Sequence, residues 1–529
     1  CTQQDEPAAG CHGTHVAGIA AGDGSGTGNG QPANRFKGVA HQSEMMFVKY
    51  KDLDSATDGV AYMFQKAQQA GKPIAVNMSL GTIDGPHDGT TASEQLLAGV
   101  LGTDVPGRSL IIAAGNSGSQ TIHARSASLP AKIGDTPASY PHIVMTAYPR
   151  EYVGVVPVVP VEIYYPHGSN FKVSVVYPAD AMYTQTAQTP WVEPGNTYEQ
   201  TSIQVGPLAG GYIGILHESP NALGNTDLNR VLILMGNNSN PIIPLESYKY
   251  YILLDGAGVA IDAWHIFRDK GCLVPRSAVT NPPTTMLDAD DWYTVARPAS
   301  MTGSICVGSY VSKTQWTDVD AQTQTQQGAT LNAISGFSSR GRRRDEVQKP
   351  DLCGPGEVII STLAANYTDA PRAHVERDGV HQKMQGTSQS APHVCGVAAL
   401  MLQKNQTLTQ SQIKNHLKNT AIDQGTSGWD GIWGAGKMDA LAALNAVPAD
   451  GATPTPTATL PPTPTSPPGN PGDVNLDGLL DTRDAIRLLR HVEGIEVLTG
   501  QALVNADANQ DSAVNNADVD WILDRTVGK

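Results

Sequence analysis

Residues 386–401 read GTSQSAPHVCGVAALM. Gly386 lets the chain turn sharply, and the small and apolar residues beyond it suit a buried helix. Ser388 therefore stands where a helix begins. Unpaired backbone N–H groups and the positive end of the helix dipole meet there. Such a place favours a nucleophile whose attack creates an oxyanion, although a serine at a helix start is more commonly an N-cap. Two further segments carry the same ambiguity. HGTHVAGIAAG, residues 12–22, puts the imidazole of His12 at the start of a small-residue helix, where a lone histidine is usually structural. LIIAAGNSG, residues 110–118, is an apolar strand that ends in Gly-Asn-Ser-Gly. It reads either as an ordinary turn or as the Asn116 amide held rigidly at a strand end, ready to donate to a developing negative charge.

Outward from these segments the chain divides into regions. Up to about residue 140, short apolar runs (Met45–Val48, Ile74–Met78, Leu110–Ala114) alternate with helical stretches (Gly59–Ala70, Ser93–Gly102). Strands alternating with helices predict a parallel α/β sheet. From about 145 to 285 the runs are β-branched and aromatic: Val153–Tyr165, Phe171–Tyr177, Ile203–Val205, Tyr212–Leu216, Val231–Met235, Tyr248–Leu254 and Val259–Phe267. Closely spaced short strands suggest an all-β sandwich. The α/β pattern resumes near Ser304 and runs to about Val447. The expected architecture is thus an α/β, parallel-sheet domain over 1–144 and 286–447, with a sandwich inserted at 145–285. A linker at 448–471 contains TPTPTATLPPTPTSPPGNP and favours extended polyproline conformations. A compact module follows at 472–529.

The net charge of -15 argues against a nucleic-acid partner. No apolar window reaches the ~18 residues of a membrane span. Cys1, Cys11, Cys272, Cys306, Cys353 and Cys395 are scattered, with no C-x-x-C pair, so neither a zinc site nor a disulfide framework is indicated. Cys306, Cys353 and Cys395 lie in small or apolar runs and read as buried space-fillers. Cys11 adjoins His12, so thiol chemistry and simple packing are both open there.

Taken together and in this order, the three segments resemble the subtilisin-like (subtilase) family of serine peptidases. His12 matches the first His of its H-G-T-H-V-A-G motif, Ser388 the Ser of G-T-S-x-x-x-P-H-V-x-G, and Asn116 the oxyanion-hole Asn. NMSLG at 77–81 resembles the strand that pairs with substrate backbone through Ser79, Leu80 and Gly81. FSSRG at 337–341, KPDLCGPG at 349–356 (with Cys353 where Ala is usual) and WGAGKMDALAAL at 433–444 resemble further segments of the family. The resemblance implies a subtilisin-like fold and a secreted endopeptidase acting on peptide or protein substrate. Ser388 would be its nucleophile and His12 its general base, with Asn116 and the Ser388 N–H holding the oxyanion.

The family places an Asp on a strand in a D-[S/T]-G setting before the His. Asp5, in QQDEP, lacks that setting, and Asp23 fits no motif. The expectation is that the triad Asp lies on a preceding segment and that this chain by itself is nearly inactive. A peptide-binding or scaffolding pseudoprotease is the competing reading. An exopeptidase or narrowly specific processing protease is a third, with the sandwich either narrowing the cleft or serving stability.

The last module has its own signature. DVNLDGLLDTRD, residues 473–484, and DANQDSAVNNAD, residues 507–518, share the spacing of a calcium loop. The first loop offers Asp473, Asn475, Asp477, the Leu479 carbonyl, Asp481 and Asp484. The second offers Asp507, Asn509, Asp511, the Ala513 carbonyl, Asn515 and Asp518, with Ser512 in place of the turn glycine. The pair resembles a type I dockerin: a small α-helical module that folds around two Ca2+ ions and docks onto a cohesin. Thr482-Arg483 and Asn516-Ala517 stand at the positions that often contact cohesin. A calcium-stabilised appendage without a partner is the alternative. Family, linker and calcium loops together imply a bacterial protein that is secreted or held at the cell surface.

Overall fold

The computed structural model describes residues 11–102, 104–147, 158–178, 186–201, 212–219, 227–236, 249–266 and 271–449, together with parts of 471–522. Two compact units result, Cys1–Ala452 and Thr453–Lys529.

At the centre of the first unit lies a four-stranded parallel sheet. Its strands run in the order Ile74–Met78, Arg108–Ala113, Ile305–Val311, Leu352–Glu357. Successive side chains point to opposite faces, and helices cover both. Ile111 and Ala113 pack beneath helix α4 (Thr387–Lys404) with Val394, Val397 and Ala398. Leu110 and Ile112 pack on the other face against Phe64 of α2 (Leu53–Gln69) and Leu97 of α3 (Ala92–Leu101). A sheet buried on both sides explains the continuous apolar run LIIAA. α2 begins before the expected Gly59 because Asp52 and Ser55 form a capping box. Met45–Val48, expected as a strand, has no regular secondary structure and pairs with no strand among the described residues, and Phe47 is 66% exposed. An apolar run becomes a strand only where a neighbour accepts its backbone hydrogen bonds.

The β-rich part forms two antiparallel sheets. One has seven strands in the order Ala289–Asp290, His123–Ser126, Ile261–His265, Val158–Pro166, Leu228–Gly236, Tyr212–Glu218, Thr197–Thr201. The other has five, in the order Gly271–Leu273, His142–Ala147, Lys249–Asp255, Lys172–Pro178, Thr186–Gln188. Both sheets contribute to one core that includes Tyr165, Phe171, Val231 and Ile252. Strands therefore come from His123 to Asp290, wider than the 145–285 interval. The flanks HARS and AD are polar in sequence and join by backbone pairing, which carries no hydrophobic signal. Ile203–Val205 lies outside the described residues. No described helix is long and apolar enough to cross a membrane.

In the second unit Val474, Leu488, Leu498, Ala502, Ala506, Ala508 and Ile522 form a small core. Gly472 N–H donates to the Asn505 carbonyl at 2.8 Å, and Asn505 Nδ2 donates to the Asp473 carbonyl at 2.7 Å.

Candidate active site

Gly386 caps α4 with a φ of 147°, a conformation that side chains rarely adopt. A Cβ there would stand 3.0 Å from Gln389 Oε1 and 3.4 Å from Asn116 Nδ2. Because Gly386 occupies the cap, Ser388 is not the N-cap. Its Oγ instead points to the Ser79 carbonyl at 3.4 Å. Ser79 Oγ donates to the Ser388 carbonyl at 2.7 Å and accepts from Asn77 Nδ2 at 2.9 Å. The end of the Ile74–Met78 strand and the start of α4 are thus stitched together.

Asn116 follows the Arg108–Ala113 strand. Its Oδ1 accepts from Thr387 N–H at 2.9 Å and from Thr387 Oγ at 3.0 Å. Two donors on one oxygen decide the amide orientation, so Nδ2 is the end of the amide turned away from them. Sequence reasoning missed Thr387. It sits inside the quoted motif, but its partner lies 271 residues away in the chain.

His12 opens α1 (His12–Ala21), directly after Cys11, which is buried with its Sγ 3.6 Å from Asn366 Oδ1. α1 packs on α4. A Cβ on Gly396, eight residues beyond Ser388, would stand 3.0 Å from the carbonyl of Ala20, eight residues beyond His12. His15 senses both His12 and His393 electrostatically. The helices therefore run side by side in the same direction, with His12 and Ser388 at the same end. His15 is fully buried, and its Nε2–H donates to the Gln382 carbonyl at 3.1 Å. Burial lowers its pKa to about 3, so it adds no positive charge beside His12 at neutral pH. Leu80 packs against the core beneath α2 and α3, and Gly81 approaches Arg297, whose carbonyl would lie 3.0 Å from an added Cβ. Asp5 lies outside the described residues. Asp23 is exposed and bonds Ser25 N–H at 2.9 Å and Ser25 Oγ at 2.7 Å.

Residues 2–232 and 263–436 match the sequence model of the subtilase family. The chain belongs to the subtilase family. It is 38% identical over 122 residues to serine protease AprX of Bacillus subtilis (strain 168), covering 22% of this chain and 26% of that protein. It is 46% identical over 130 residues to M-protease of Shouchella clausii (strain KSM-K16), covering 22% of this chain and 33% of that one. These alignments span a quarter to a third of the relatives' length. Among solved structures, the CspB protease of Clostridium perfringens is similar, with a TM-score of 0.59 and 20% identity over 84% of this chain and 82% of that one. At that identity the likeness is one of fold.

Three cysteines of this subtilase are inert packing groups. Cys306, Cys353 and Cys395 are buried free thiols. Burial pushes Cys306 and Cys395 up to about 12 and Cys353 upward as well.

At the C-terminus, residues 471–525 match the type I dockerin domain. In its second loop Asp518 is fully buried, and its two oxygens accept from Asn509 N–H at 3.1 Å and Asn515 N–H at 3.0 Å. The loop is thereby closed around its last carboxylate, and Asp507, Asn509, Asn515 and the Ala513 carbonyl are further oxygen-bearing groups of the same loop. Such an all-oxygen set fits a hard cation. Asp473 is buried at the head of the first loop. Asn475, Asp477, Leu479, Asp481, Asp484, Asp511, Thr482, Arg483, Asn516 and Ala517 lie outside the described residues. Among the described residues no three His, Cys, Asp or Glu side chains gather to hold a metal ion.

Proposed function

We propose that this subtilase supplies the centre of a secreted serine endopeptidase. Ser388 Oγ attacks a peptide carbonyl, and His12 takes its proton and passes it to the leaving amine. The Ser388 N–H and Asn116 Nδ2 hold the oxyanion. The backbone of Ser79, Leu80 and Gly81 aligns the substrate, and water releases the acyl group by the reverse route. The observation that supports this reading is the Asn116 amide, whose oxygen is pinned by the Thr387 N–H and hydroxyl, so that Nδ2 is the atom turned to donate.

In the C-terminal module, Asp473, Asn475, Asp477, Leu479, Asp481 and Asp484 would hold one Ca2+. Asp507, Asn509, Asp511, Ala513, Asn515 and Asp518 would hold a second. The ions would stabilise the two loops, and the module would dock onto a cohesin outside the cell.

Labelling with a fluorophosphonate probe tests the peptidase reading. The expected result is modification of Ser388 that disappears in Ser388→Ala and slows in His12→Ala. Labelling that persists at the same rate in Ser388→Ala, or none in a chain extended upstream, refutes it in favour of a peptide-binding scaffold.

A further inference from the structure

Beyond Gly81 the chain leaves the parallel sheet and runs along the outer face of the seven-stranded sheet. Thr82 and Arg297 exchange backbone hydrogen bonds, both at 3.0 Å. Arg297 also holds Asp84, through Nε at 3.1 Å and through Nη2. The other wall of this loop comes from the sandwich. Ile83 is buried with Tyr164, Leu228 and Trp264. Gly85 N–H donates to Glu162 Oε2 at 2.8 Å. That carboxylate also accepts from Tyr164 Oη at 3.0 Å and Arg230 Nη1 at 3.1 Å. The His87 ring stacks on Trp264, with centroids 4.5 Å apart and planes 18° apart. Glu162 and Trp264 are direct cross-strand partners.

The pattern within strand Val158–Pro166 separates two roles. Val159, Val161, Ile163 and Tyr165 fill the sandwich core, whereas Glu162 and Tyr164 point the other way and are equally buried. Glu162 is 2% exposed. For stability alone an apolar residue would serve as well or better there, because a buried ion pair gains little over a well-packed apolar group. What the carboxylate adds is a directed hydrogen bond to Gly85, the glycine of loop 82–88, whose φ is +98°.

We infer that Glu162 and Trp264 are positioning residues for the substrate: they fix loop 82–88 and, through it, the register of the segment 79–81 along which a peptide lies. The inference rests on the peptidase reading of Ser79–Gly81. A substrate held by backbone pairing is sensitive to small shifts, since a displacement of about 1 Å costs roughly a hundredfold in rate.

The test compares Glu162→Leu and Trp264→Leu with the conservative Glu162→Gln and Trp264→Phe in a chain extended upstream. Three quantities are measured. They are fluorophosphonate labelling of Ser388, hydrolysis of peptides with one and with four residues before the scissile bond, and amide exchange across residues 79–88. The leucine variants should label at the wild-type rate and keep activity on the short peptide. They should lose about tenfold or more in kcat/KM on the long peptide, mainly in KM, with faster exchange at 79–88. The conservative variants should recover most of that loss. Equal losses on both peptides, or unchanged exchange at 79–88, overturn the inference. If a leucine variant does not fold, the conservative pair decides: an unaltered long-to-short ratio and unaltered exchange in both overturn it. If the wild type in the chain extended upstream neither labels nor cleaves, the peptidase reading has failed, and exchange at 79–88 still reports whether the sandwich anchors the loop.

Discussion

Asn116→Asp preserves the shape of the side chain and keeps an oxygen for both Thr387 donors, at 2.9 and 3.0 Å. It replaces the outward amide N–H with a carboxylate oxygen. Loss of an oxyanion donor costs about 2.7–4 kcal/mol, or roughly 10²–10³ in kcat; that magnitude was measured on subtilisin itself and is carried over to this relative. Asn116→Ala removes the donor and, in addition, strands the N–H and hydroxyl of Thr387, a residue only 1% exposed. A buried donor left without an acceptor costs about 1–3 kcal/mol. The two variants should therefore differ in stability and agree in chemistry. In a chain extended upstream, the pseudo-first-order rate of fluorophosphonate labelling should fall at least about a hundredfold in both. The urea midpoint should fall in Asn116→Ala and hold nearly constant in Asn116→Asp. Labelling of Asn116→Asp at close to the wild-type rate would refute the assigned donor. An Asn116→Ala variant as stable as the wild type would refute the anchoring by Thr387.

Three other outcomes are expected. The imidazole of His15, pushed by burial from 6.5 to about 3, binds a proton in the unfolded chain well before it does in the folded one. Stability is then full above pH 6.5 and declines as pH falls toward 3, by about 2 kcal/mol at pH 5 from 1.36 kcal/mol per pH unit. Urea unfolding of wild type and His15→Gln at pH 7 and pH 5 checks this, and an identical pH slope in both would count against it. Gly386→Ala must accept a φ of 147° and a 3.0 Å approach to Gln389 Oε1, so it should lose about 1–3 kcal/mol and label slowly, as read by thermal unfolding and probe labelling. Chelation of Ca2+ should loosen the packing of Trp521 on the C-terminal core and shift its fluorescence, as should Asp518→Ala with calcium present. An emission unchanged by calcium in a chain freed of metal would contradict the ligand assignment.

Much of the core was legible. Ile74–Met78 and the run at 110–114 lie in a parallel sheet because apolar residues facing both ways can be satisfied only between two helical layers. The strand Val158–Pro166 was also legible as a strand, though not as one buried on both sides. Glu162 and Tyr164 look like solvent-facing residues until Ile83 and Gly85 are seen to cover them. Met45–Val48 misled for the converse reason: the run has strand composition, but pairing is a property of the neighbour.

The three short segments around His12, Asn116 and Ser388 point to the family by themselves, because residue type, turn glycines and helix starts are local matters spelled out over a dozen residues. The two oxygen-rich loops near the C-terminus are legible on the same ground. The direction of the Asn116 amide, the approach of Ser388 Oγ to the Ser79 carbonyl, and the clamp of Glu162 on loop 82–88 belong to the tertiary structure. Each depends on a contact that the chain closes over a long separation, 271 residues for Asn116 and Thr387 and 309 for Ser79 and Ser388. No local pattern encodes such a meeting; it exists only once the sheet, the helices and the sandwich have packed.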